Sequence, residues 1–204
     1  LLGNHLITGG YELERLDVFN QFIQESEGEF RFSSIDDFRN GTPNRVIYEN
    51  AAFTNVKDDA AANFVYDINS LYLQDEYRFD DLGLTLTGGL RYQNSERSIN
   101  RSNSSNSVNS SDDWDDVLPK LGASYSLSET DTLYASVAKG FQSGGFNFYG
   151  GSPESAQYDS AESWNYELGW SSSWNDGRVH TRVAAFYSDF ENYQVYRLNP
   201  MNPT

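Results

Sequence analysis

Residues 117–141, VLPKLGASYSLSETDTLYASVAKGF, hold two alternating segments around the four-residue turn Ser128-Glu129-Thr130-Asp131. Before the turn, Leu121, Ala123, Tyr125 and Leu127 recur at every second position, with Gly122, Ser124 and Ser126 between them. After it, Leu133, Ala135 and Val137 alternate with Tyr134, Ser136 and Ala138. Successive side chains of a strand point to opposite faces, so this period of two predicts a hairpin with one apolar face and one small, polar face. The destination of the polar face decides the architecture. A sandwich sends it to bulk water, whereas a large barrel sends it to a wet lumen and turns the apolar face to lipid.

The same period recurs along the chain. It predicts strands over 4–23, 64–79, 84–98, 117–127, 132–141, 164–174 and 179–196. Leu84, Leu86, Leu121, Ala123, Leu133, Val137, Leu168 and Val183 fall on the apolar side, and Thr85, Thr87, Ser124, Ser136 and Glu167 on the other. Short turns at 80–83, 128–131 and 175–178, the last carrying the Asp176-Gly177 hairpin signal, alternate with long polar stretches at 24–62, 99–116 and 142–163. Ile47, Tyr48 and Phe53 offer a short strand, or a patch packed back on the mouth of a barrel, within the first of these. The fold class is therefore all-β: an antiparallel meander forming part of a large transmembrane β-barrel, short turns at one end and long loops at the other.

Composition narrows the function. Net charge is −16 in 204 residues, which removes the basic surface a nucleic-acid binder needs and disfavours anionic membrane surfaces as electrostatic partners. Cysteine is absent, so there is no disulfide framework and no thiolate. Aromatics reach 15% while mean hydropathy is −0.65. No apolar run approaches the roughly 18 residues of a membrane helix, a test that a barrel escapes because only alternate residues need be apolar. The start, LLGNHLITGG, has no signal-peptide pattern and reads as the inside of a strand. The Ser/Asn-rich stretch 100–113 cannot bury a core, and its N-x-S/T matches at Asn100, Asn103 and Asn109 are those chance supplies in such a run.

Three stretches together resemble the TonB-dependent receptors of bacterial outer membranes: LTLTGGLRY (84–92), LPKLGASYSLSETDTLYASVAKGFQSGGFN (118–147) and ESWNYELGWSSSWNDGRVHTRVAAFYSDFENYQV (162–195). The resemblance implies a barrel of about 22 strands around a plug, taking up a scarce ligand, most often a ferric siderophore, with energy delivered by TonB. It implies outer-membrane localisation, lipid against the apolar face, no enzymatic activity and no resident cofactor. Residues 1–204 then read as an internal fragment of the barrel, with about seven strands, no plug or TonB box and no closing C-terminal strand. TonB would be met through that plug region. The rival readings are a passive porin and a soluble secreted β-sandwich that binds glycans.

No constellation for bond-making chemistry emerges. His5 and His180 each stand alone on a strand, with no ligand partners at metal spacing. Glu76 and Glu167 read as polar lumen lining, expected to pair with Arg78, Arg91 or Arg182. The run Asp112-Asp113-Trp114-Asp115-Asp116 has oxygen ligands for a hard cation but no EF-hand spacing, and reads as a solvated acidic loop. SGGFNFYGG at 143–151 lacks the Lys-Ser/Thr pair of a phosphate cradle. Its aromatics Phe146, Phe148 and Tyr149 are the candidate ligand-binding residues, set among glycines on a long loop; packing against other loops is the alternative.

Overall fold

The structure is a computed structural model that describes residues 3–23, 26–48, 57–101, 107–147 and 156–195. The first part contains β1 (His5–Gln21), β2 (Glu29–Arg31), a helical turn α1 (Ile35–Arg39), β3 (Arg45–Ile47), β4 (Ala61–Phe79), β5 (Leu84–Arg101) and β6 (Val108–Ser126). Then follow β7 (Asp131–Gln142), β8 (Gly145–Phe146), β9 (Gln157–Tyr158), β10 (Ala161–Trp174) and β11 (Val179–Glu191). Seven strands form one antiparallel sheet in the order β1-β4-β5-β6-β7-β10-β11, while β2-β3 and β8-β9 are separate two-stranded ribbons. Consecutive long strands are neighbours, as a meander requires, and β1 and β11 are the open edges. No second sheet packs against it among the described residues, which removes the sandwich.

The turns carry the residues their geometry demands. Gly83, at φ +62°, closes the turn after β4. Between β10 and β11, Asn175, Asp176 and Gly177 are all left-handed, at φ +53°, +53° and +78°. Asn and Asp tolerate that region better than other non-glycine residues. Between β6 and β7, the Ser128 hydroxyl accepts from the amides of Thr130 (3.2 Å) and Asp131 (3.1 Å) and donates to Asp131 Oδ2 (2.8 Å).

Register assigns the faces, because directly opposed residues of an antiparallel pair lie on the same side. Leu71–Phe79, Leu84–Tyr92 and Val117–Tyr125 are aligned end to end across β4, β5 and β6. Their outward rows include Tyr77–Leu86–Ala123–Ala135–Leu168–Ala185 and Leu71–Tyr92–Val117. Leu71, Leu73, Leu121 and Leu168 are each about 60% exposed, which is the signature of a face meant for lipid. Nine residues at about 3.3 Å each, tilted by about 40°, give a band roughly 20 Å tall, close to the apolar belt of an outer-membrane barrel. Aromatic rows border it: Phe79, Tyr125 and Trp170 at the turn end, Tyr11 and Tyr92 at the other.

Above that belt the pattern reverses while the register runs on unbroken. The outward rows become Leu13–Asn69–Asn94–Asp115 and Arg15–Asp67–Glu96–Asp113. The inward positions become the apolar ones: Ala62, Phe64, Ile99 and Val108 are buried together, with Val18, Tyr66 and Trp114 against them. This reversal corrects the expectation of a loop over 99–116. β5 and β6 run on to Arg101 and from Val108, so only 102–107 connects them. The segment 24–62 also differs from a plain loop, holding the β2–β3 ribbon, α1 and the first residues of β4. Ile47 closes β3 and Tyr48 is 70% exposed, while Phe53 lies outside the described residues. The last strand stops at Glu191 rather than 196, because Asn192 turns left-handed at φ +52°.

Candidate functional site

Four strands, β1, β4, β5 and β6, rise past the belt, whereas β7 and β10 end soon after it. The pairing of β6 with β7 stops at Lys120↔Ala138, next to Pro119, which has no N–H to continue the ladder. The step is closed by charge. Lys139 Nζ lies 2.7 Å from Asp116 Oδ2 on β6 and 2.7 Å from Glu162 Oε2 on β10, with the Lys139 and Asp116 side chains only 15% and 12% exposed. One ammonium thus spans three strands where the backbone ladder has opened.

The inner side of the tall wall, at the long-connection end, carries the apolar cluster. After β7 the chain turns inward as the β8–β9 ribbon. Phe146, 8% exposed, packs edge-on to Trp114 with centroids 5.9 Å apart, inside the apolar cluster. Two glycines permit this approach. A Cβ on Gly144 would overlap the Trp114 indole, and one on Gly145 would stand 2.7 Å from the Tyr158 hydroxyl. Gln157 Nε2 donates to Asp112, and Gln194, beyond β11, donates to the carbonyls of Ser143 (3.2 Å) and Asp159 (2.9 Å), tying down both ends of the ribbon. Beside it the Arg97 guanidinium lies 5.2 Å from the centroid of Tyr66 and donates to Ser95 Oγ at 3.4 Å. Tyr66 stands above the belt; burial raises its phenol pKa, against the opposing pull of Arg97.

Of the sequence candidates, Phe146 is therefore an anchoring side chain rather than a free loop aromatic; Phe148 and Tyr149 lie outside the described residues. Asp112–Asp116 belong to a strand, not a loop. Alternation splits them, with Asp112 and Asp116 inward and Asp113 and Asp115 outward. Among the described residues no group of three acidic or histidine side chains gathers as metal ligands. His5 is not alone: its Nδ1 lies 2.7 Å from Asp75 Oδ2, across the β1–β4 pair. His180 Nδ1 meets Ser173 Oγ at 2.9 Å. Arg78 pairs with Glu76 at 3.0 Å as expected, whereas Arg91 donates to Glu12 and Ser70, both at 2.8 Å, and Glu167 takes the Tyr134 hydroxyl. Trp114, Tyr66, Arg97, Lys139 and Gln194 were missed as site residues. The signal for Trp114 was its even-numbered phase with Val108, set against the odd phase of Val117 and Leu121.

Residues 6–204 match the family described as TonB dependent receptor-like, beta-barrel. The chain belongs to this family. It is therefore part of a bacterial outer-membrane β-barrel, and the receptor resemblance of its three motifs extends over nearly the whole sequence. Solved structures share the fold. The closed form of the ferric-catecholate import receptor Fiu from E. coli K12 superposes with a TM-score of 0.64 at 17% identity, covering 94% of this chain and 30% of that one. The ferric yersiniabactin uptake receptor FyuA from Yersinia pestis gives 0.58 at 22% identity, covering 66% and 22%. The alcaligin outer-membrane receptor FauA from Bordetella pertussis gives 0.53 at 23% identity, covering 68% and 23%. This TonB-dependent receptor chain thus spans between 22% and 30% of the length of these three receptors.

Proposed function

We propose that the chain forms part of the wall of a receptor that actively takes up a scarce small molecule, an iron–siderophore complex, across the outer membrane. The inner face above the belt carries this reading: aromatic side chains at Tyr66 and Trp114, a guanidinium at Arg97, and an inward-folded ribbon pinned over them. Planar, apolar and charged side chains on one face suit a compact organic ligand. Support also comes from the three structural neighbours, which are named for ferric yersiniabactin, ferric catecholate and alcaligin. On this reading Phe146 anchors the loop, and Phe148 and Tyr149, its sequence neighbours, meet the ligand. Lipid covers the belt, and TonB acts through a plug region outside these 204 residues, the chain being an internal piece of the barrel.

Uptake of radio-iron from mixed siderophores by cells with and without the full-length gene tests this. Uptake that requires the gene, and stops when TonB is deleted, is the expected result. Gene-dependent uptake that persists without TonB would make the protein a passive channel instead.

A further inference from the structure

One side-chain amide joins three segments that the sheet keeps apart. The ladder between β7 and β10 ends at Gln142↔Ala161, and that between β10 and β11 at Glu162↔Glu191. Asn192, left-handed at φ +52°, then turns the chain out of β11. β10 separates β11 from β7 in the sheet, yet Gln194 reaches partners at the ends of both β7 and β10. Its Oε1 accepts from Gln142 Nε2 at 2.9 Å, and its Nε2 donates to the carbonyls of Ser143 at 3.2 Å and Asp159 at 2.9 Å. The amide oxygen and both N–H groups are all in use. The two carbonyls also fix the amide's orientation, because a flipped oxygen would face them both. Ser143 and Asp159 are the two feet of the β8–β9 ribbon, one just after β7 and the other just before β10. Tyr193, packed edge-on to Phe190 with centroids 5.4 Å apart, holds the crossing segment to the end of β11.

We propose that Gln194 is a coupling strap: it makes Asn192–Val195 and the β8–β9 ribbon one conformational unit, so that displacement of either releases the other. The ribbon is held at two places. Phe146 seats it on Trp114 from inside, and Gln194 closes its feet at the strand ends. Ser143 lies three residues before Phe146 and is itself buried, so a shift of the ring reaches the Ser143 carbonyl through little free chain. In the other direction, loss of the amide withdraws a donor from both feet at once and lets them part. Hydrogen bonds between neutral groups at a half-buried site are individually weak, which lets such a strap open and reclose. Coupling of this kind is reciprocal by thermodynamic necessity. The strap operates whatever the receptor carries.

Two reporters on the full-length receptor in lipid nanodiscs test this, neither needing a ligand. The first is hydrogen exchange at the ribbon, where the Asn147 amide donates to the Ala156 carbonyl. Gln194→Glu keeps the side-chain length and the acceptor for Gln142 but sets a carboxylate oxygen against the carbonyls of Ser143 and Asp159. Exchange at Asn147 should accelerate roughly tenfold or more, with the β4 and β5 belt segments unchanged. Wild-type exchange at Asn147 in this variant overturns the proposal. If Gln194→Glu speeds exchange in the belt as well, Gln142→Leu, which removes one bond and leaves Gln194 in place, takes over. Exchange at Asn147 about threefold faster then supports the strap, and wild-type exchange overturns it. The second reporter is a spin label on Val195→Cys in a cysteine-free background, at a side chain 73% exposed. Phe146→Ala, on a different connection, should roughly double the label's mobile fraction. A label that stays as ordered in Phe146→Ala as in the receptor with Phe146 intact overturns the coupling.

Discussion

Gly144 lies directly against the indole of Trp114, so that a Cβ there would overlap Trp114 Nε1 and stand 2.5 Å from the carbonyl oxygen of Tyr158. The indole could tilt away, but a backbone carbonyl cannot retreat cheaply. Gly144→Ala should therefore unseat the β8–β9 ribbon at a cost of about 1–3 kcal/mol, as overpacking commonly does. Limited proteolysis of the full-length protein, followed at the 143–160 connection, should show faster cleavage than wild type with the barrel otherwise intact. Unchanged cleavage would mean that the ribbon does not depend on this approach.

Phe146 and its two aromatic neighbours should behave differently from one another. Phe146→Ala removes a buried ring from a small cluster and should destabilise the ribbon by roughly 2–4 kcal/mol, below or within the range for larger cores. The pair Phe148→Ala and Tyr149→Ala should leave thermal stability within about 0.5 kcal/mol of wild type and weaken ligand binding, the expectation for aromatic contacts at an interface. Differential scanning calorimetry together with binding to the purified receptor separates the two effects. Equal losses of stability for both variants would assign all three rings to packing.

Facing can be tested by charge. Leu86 lies within the belt on the outward row, and Thr87 is the next residue, facing the lumen. Leu86→Arg should cost roughly 2–4 kcal/mol in a lipid bilayer, and Thr87→Arg markedly less because water can solvate it. Equilibrium urea unfolding in lipid vesicles reads both. Comparable costs would refute the belt.

Lys139 is the bridge across the step between β6 and β7. Lys139→Met leaves the Asp116 carboxylate, only 12% exposed, facing Glu162 without a counter-charge, and should cost roughly 1–3 kcal/mol. Asp116→Asn on top of Lys139→Met should recover part of that loss. A double-mutant cycle with a coupling energy near zero would reduce the cluster to surface decoration.

Much of the fold was legible because lipid imposes a simple code. Leu84, Leu86, Leu121 and Leu168 recur at period two on one face, and the sheet order and the three tight turns follow from that alternation and from residues such as Asp176-Gly177. What stayed illegible lay above the belt. Ile99, Val108 and Trp114 keep period two but on the opposite face, separated by Ser, Asn and Asp, so the stretch reads as loop until Arg97, Asp112 and their neighbours are aligned across strands. The ion bridge at Lys139 was hidden for another reason: its partners Asp116 and Glu162 lie on two other strands. The seating of Phe146 was likewise set by Trp114, a residue that sits inside an acidic run and looks solvated in one dimension.

The reversal of the apolar face within single strands has a numerical corollary. On β4 the odd-numbered positions should resist polar substitution below the belt's upper edge and the even-numbered ones above it, the parity changing between Ile68 and Leu71. β5 should show the complementary change, from even to odd, between Tyr92 and Ile99, and β6 the same change as β4, between Trp114 and Val117. A mutational tolerance map would therefore draw a contour across three strands, marking where the protein passes out of lipid without any reference to a membrane.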